Sequence, residues 1–201
     1  MFSQNSAKPN NNQKFTWQII QITPCSHLSK RVKGGILKFD DNDDLTVHPI
    51  DVVEHLAKSF DWHAQRISPD EINIHIVGEW CKYNLTVHWN PQIDGLHLGI
   101  AFDFQPPHER VEELEKLLLL INEQLWMGHF EYWANSDILM FRYGTLIANG
   151  QNFTDKQCHM IINHSIETCE QYYAAFQFTL WADKSAEQGL MACLLDITGS
   201  A

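Results

Sequence analysis

Three segments between Glu71 and Phe104 decide the fold: EINIHIV (Glu71–Val77), EWCKYNLTVHW (Glu79–Trp89) and GLHLGIAFDF (Gly95–Phe104). In each, apolar side chains fall on every second residue. They are Ile72, Ile74 and Ile76 in the first, Cys81, Tyr83, Leu85, Val87 and Trp89 in the second, and Leu96, Leu98, Ile100, Phe102 and Phe104 in the third. Period two marks antiparallel strands with one face buried and the other wet. A two-residue turn at Gly78-Glu79, glycine first as a type II′ turn wants, pairs Val77 with Trp80 and Ile76 with Cys81. Across Asn90–Gly95, pairing Trp89 with Leu96 keeps both apolar sets on one side and sets His88 opposite His97.

On the N-terminal side, Pro49 suits a first helical position, and Ile50, Val53, Leu56, Ala57 and Phe60 recur at helical spacing. On the C-terminal side, Pro107 opens a helix expected to reach about Met127, with Val111, Leu114, Leu118, Ile121 and Leu125 in the stripe that covers the sheet. Leu119 and Trp126 lie off that stripe, seven residues apart, and so form a second apolar patch on the same helix. After Gly128, Phe130 and Tyr132 alternate with His129, Glu131 and Trp133. A turn at Ala134–Asp137 then leads into a strand carrying Leu139, Phe141 and Tyr143. Thr154 with Gln157 signs a capping box for a long helix to about Trp181, and Ser185 with Gln188 signs another for a terminal one. The expected class is α+β, an antiparallel sheet of about five strands flanked by helices in the order α-β-β-β-α-β-β-α-α.

Upstream of this body, residues 1–44 are poor in core residues and end in Asp40-Asp41-Asn42-Asp43-Asp44, so they are expected to form a flexible tail before one domain over 45–198. Within the tail, Phe15, Trp17, Ile19, Ile20 and Ile22 form a short apolar arm. The longest unbroken apolar run, Leu117–Ile121, is far below the ~20 residues of a membrane span, and no signal-peptide core precedes it. Five cysteines without a C-x-x-C pair suit free thiols in a reducing compartment, so a cytoplasmic location is expected. Net charge is +2 over residues 1–44 and −13 over 45–201. A body this acidic repels phosphate backbones and anionic lipid, which disfavours nucleic acid and membrane as partners.

Few patterns suggest chemistry. His75, His88 and His97 share the polar face of the sheet, but the proposed register sets His75 opposite Lys82, ~20 Å along the strand from His88. That leaves His88 and His97 as a two-ligand candidate, short of the three that a catalytic metal site needs. No G-x-S-x-G, G-x-G-x-x-G or P-loop occurs, so no catalytic residue and no cofactor is assigned. The aromatic population is the stronger signal, because such residues anchor interfaces. Leu119 and Trp126, with His129 and Trp133 beside them, are the expected partner-binding or dimer surface.

The motifs NEQLWMGHFEYW (Asn122–Trp133), WCKY (Trp80–Tyr83) and YYAAFQFTLW (Tyr172–Trp181) resemble those of the YbjN family of bacterial sensory transduction regulators, its alphaproteobacterial branch in particular. The resemblance runs over roughly Leu45–Leu195. It implies an α+β fold similar to type III secretion chaperones, dimerisation, and a regulatory or chaperone-like role. It carries no catalytic residues to this chain. The leading expectation is therefore a non-catalytic module that binds a protein partner and forms a homodimer. The competing one is a small-molecule or metal-dependent enzyme that uses the polar sheet face around His88 and His97.

Overall fold

The computed structural model describes residues 47–148 and 153–199. The expected tail over 1–44, with its Phe15–Ile22 arm, lies outside the described residues. Helix α1 spans Pro49–Ser59, with His48 as its N-cap, and buries Ile50, Val52, Val53, Leu56 and Ala57. Six strands follow: β1 His63–Ser68, β2 Glu71–Val77, β3 Lys82–Asn90, β4 Gly95–Ala101, β5 His129–Trp133 and β6 Ile138–Leu146. Helix α2, Val111–Asn122, connects β4 to β5, and α3 (Asp155–Trp181) and α4 (Ala186–Gly199) close the chain.

The strands form one antiparallel sheet in the order β1-β2-β3-β4-β6-β5. The class is α+β, with six strands where about five were expected. The extra strand is β1. Its sequence HAQRIS lacks apolar alternation, so it is held instead by the ladder to β2 and by Arg66, whose Nη1 donates to Glu54 of α1 at 3.0 Å. One face of the sheet carries the apolar sets read from the sequence. Ile72, Ile74, Tyr83, Leu85, Ile100, Phe130 and Phe141 are fully or almost fully buried there beneath α1, α2 and α3. Both expected capping boxes form: Thr154 and Gln157 exchange bonds at 3.1 and 3.2 Å, and Ser185 and Gln188 at 3.2 and 3.3 Å.

Two registers differ in outcome. Trp89 pairs with Leu96 and His88 with His97, as expected. In the first hairpin, however, Val77 pairs with Lys82 and Ile76 with Tyr83, so the turn sits one residue later, at Glu79-Trp80. Long-range contacts fix it there. The Glu79 N–H donates to Glu170 Oε1 of α3 at 2.8 Å, and the Trp80 ring stacks on Tyr173 with centroids 6.0 Å apart. Gly78 is needed for space: a Cβ on it would come within 2.4 Å of the Tyr83 ring. Because the slip is by an even count, every apolar side chain keeps its face.

Helix α2 ends at Asn122, short of the expected Met127. The Asn122 amide turns out to hold the edge strand: its Nδ2 donates to the Phe130 carbonyl at 2.9 Å and its Oδ1 accepts from the Phe130 N–H at 2.8 Å. The intervening chain must reverse to bring these groups together. Leu125 and Trp126 therefore lie in a loop, and Trp126 does not share a helix face with Leu119.

Candidate functional site

The sheet face without helices is mostly polar, interrupted by Ala101 and Met140 between Asn84 and Glu131. Parity places His63, His75, Asn84, His88, His97, Glu131 and Arg142 on it. A ladder of side chains runs across five strands. Glu131 of β5 lies 3.0 Å from Arg142 Nη1 of β6, and Arg142 Nε donates to His97 Nε2 of β4 at 2.8 Å. His97 faces His88 of β3, whose Nδ1 lies 3.9 Å from Glu71 Oε2 of β2. Burial, then the charge of Arg142, then His88 and His129, hold the His97 imidazole down to about 4. His97 is thus neutral near pH 7, with Nε2 occupied as an acceptor.

The same ladder settles where the other histidines stand. His75 faces Asn84, not Lys82, and its Nδ1 lies 2.7 Å from Asn84 Oδ1. It also stacks on His63 of β1, with centroids 5.6 Å apart. His88 and His97 are brought side by side, but the Nε2 lone pair that a metal would take from His97 is engaged by Arg142. Among the described residues no three His, Cys, Asp or Glu side chains converge to hold a metal ion. The thiols are poor nucleophiles as well. Burial pushes Cys81 up to about 11 and Cys158 up to about 12.

The residues of the expected partner surface fall into three places. Leu119 stands on the solvent side of α2, 68% exposed. Trp126 follows in the loop, 99% exposed. His129 and Trp133 are on β5, on the open face, where Trp133 Nε1 donates to Glu131 Oε1 at 2.6 Å and His129 Nε2 lies 3.6 Å from Glu131 Oε2. They flank one carboxylate and are not in one stripe with Leu119.

What the sequence did not mark is a groove that reaches Met127, the residue after Trp126. It encloses about 590 Å³ between the end of β6 and the first turns of α3. Met127, Tyr143, Leu146, Met160, Ile161 and His164 line it. Tyr143 donates its hydroxyl to Met127 Sδ at 3.6 Å, joining the loop to the groove. Leu146 and Met160 are 74% and 60% exposed along it. Its lining is drawn from three separate parts of the chain, which no local period shows.

No helix among the described residues is long and apolar enough to cross a membrane. The YbjN family model, described as "putative bacterial sensory transduction regulator", matches residues 49–178. No curated protein and no solved structure matches the chain.

Proposed function

The chain belongs to the YbjN family, and from that premise we propose that it is a regulatory or chaperone-like module that works in the cytoplasm by binding a protein partner, without catalysis. The observation that carries this reading is Trp126. Burying a side chain of its size contributes roughly 2–3 kcal/mol, yet its indole is 99% exposed and leads into Met127 at the mouth of an apolar groove. Tryptophan is enriched among the residues that anchor protein interfaces, and large exposed apolar patches mark such sites. The surface proposed for partner or self-association centres on Leu119 and Trp126, with His129 and Trp133 at its margin on the neighbouring strand.

Self-pairing into a homodimer is part of the same reading, as is the likeness to type III secretion chaperones that the sequence motifs suggest. Light scattering on the purified full chain tests it. We expect twice the chain mass for the wild type, and a shift toward the single-chain mass when Leu119 and Trp126 are both replaced by Ser, with unchanged circular dichroism. A folded double variant that keeps the wild-type mass would remove this surface from the dimer.

A further inference from the structure

A second exposed apolar feature lies around the β2–β3 turn, against the middle of α3. Trp80, at that turn, stacks on Tyr173 with ring planes 9° apart. Tyr173 meets Phe104 edge-on at 6.1 Å, and Phe104 meets Trp181 edge-on at 5.0 Å. Trp80 remains 55% exposed although one face of its ring lies on Tyr173. Beside it an open groove of about 740 Å³ is lined by Val77, Gly78 and Glu79 from the hairpin and Ile166, Glu167 and Glu170 from α3.

The charge around this ledge is one-sided. Glu170, on the same helix as Tyr173, accepts from the Glu79 N–H at 2.8 Å. Glu79 and Glu167 line the groove itself. Among the described residues none of Glu79, Glu167 and Glu170 takes part in an ion pair; Glu167 accepts from Asn163 Nδ2 at 2.7 Å and Glu170 from the Glu79 N–H, both neutral donors. Lys82, opposite Val77 in the ladder, pairs with none of them. Several acids elsewhere are matched, Glu54 with Lys58 and Arg66, Glu113 with Lys116 and Glu131 with Arg142, so what marks the ledge is three glutamates lining one groove.

We propose that this ledge is a docking site for an arginine-bearing extended segment of a partner protein, the guanidinium stacked on the open face of Trp80 and its charge met by Glu79, Glu167 and Glu170 of the groove beside it. A planar guanidinium suits both halves of the site. It lies flat on an indole face and pairs bidentately with a carboxylate, whereas a lysine ammonium is a compact, strongly hydrated point charge that does neither. The apolar floor of Val77 and Ile166 accommodates the arginine stem and the residue beside it. The proposal rests on the protein-binding reading above but uses a surface separate from Leu119 and Trp126, so each can fail alone.

Calorimetric titration of the full chain with the peptide acetyl-Gly-Pro-Arg-Pro-Arg-Pro-Gly-amide, and with its twin carrying citrulline for arginine, tests it. The expected result is saturable binding of the arginine peptide, about tenfold tighter than the neutral twin. The same loss is expected for Trp80→Ala, and a loss of several-fold for Glu170→Gln, which keeps an acceptor for the Glu79 N–H. Leu119→Ser with Trp126→Ser should bind the peptide as the wild type does. Melting curves confirm that each variant is folded. No saturable binding, equal binding of the two peptides, or binding indifferent to Trp80→Ala would each overturn the proposal.

Discussion

His97 carries the clearest consequence at the scale of one residue. Its imidazole is held to about 4 by burial and by Arg142, below the value of about 6.5 for an exposed histidine. The unfolded chain therefore binds a proton between those two values while the folded chain does not. Its contribution is fully present above pH 6.5 and is lost as pH falls toward 4, on the order of 2 kcal/mol across that window. His97→Gln, which can still accept from Arg142, should flatten the fall in melting temperature between pH 6.5 and 4. If the variant loses stability as steeply as the wild type there, His97 is not the group responsible. The sequence shows half of this arrangement. Period two and the Asn90–Gly95 connection place His88 opposite His97, but the Arg142 side chain arrives from 45 residues away, which no local pattern encodes.

At the scale of the element, two terminations matter most. Helix α2 stops at Asn122 because that side chain is used twice on the Phe130 backbone, which also blocks the outer edge of β5 from pairing with another strand. Asn122→Ala removes both bonds and should cost about 2 kcal/mol in urea unfolding; a loss below 0.5 kcal/mol would mean that water replaces the amide without penalty. The apolar spacing Ile121 to Leu125 extends a helix on paper because helical periodicity is blind to a side chain's partner on the next strand. The β2–β3 turn tells the same story. Gly78 signals a turn correctly, but its role is to admit the Tyr83 ring, and the contacts of Glu79 with Glu170 and Trp80 with Tyr173 choose the register. Gly78→Ala should destabilise by roughly 1–3 kcal/mol through that clash, read as a lower urea midpoint with an unchanged slope. Strand β1, with only Ala64 and Ile67 apolar, shows the converse: an edge strand needs no apolar alternation when one neighbour and an arginine clamp hold it.

At the scale of the whole molecule, the sheet divides the protein into two characters. One face is packed under α1, α2 and α3; the other is a wet ladder of histidines with Arg142 and Glu131. Two of the apolar surfaces left outside the core adjoin grooves: the Trp126 loop, and the Trp80 ledge against the middle of α3. Of the proposed partner surface, the sequence marks Leu119 and Trp126 as apolar residues out of stripe, which their exposure agrees with. The groove lined by Met127, Leu146 and Met160 exists only after β6 and α3 are brought together. The most direct measurement is capture from a lysate of the native host with the tagged full chain, followed by mass spectrometry, on the wild type and on the Leu119→Ser, Trp126→Ser variant side by side. The account predicts one reproducible protein partner that is absent with the folded variant. A partner retained by the variant, or a partnerless protein carrying a stoichiometric metal or small molecule, would contradict it.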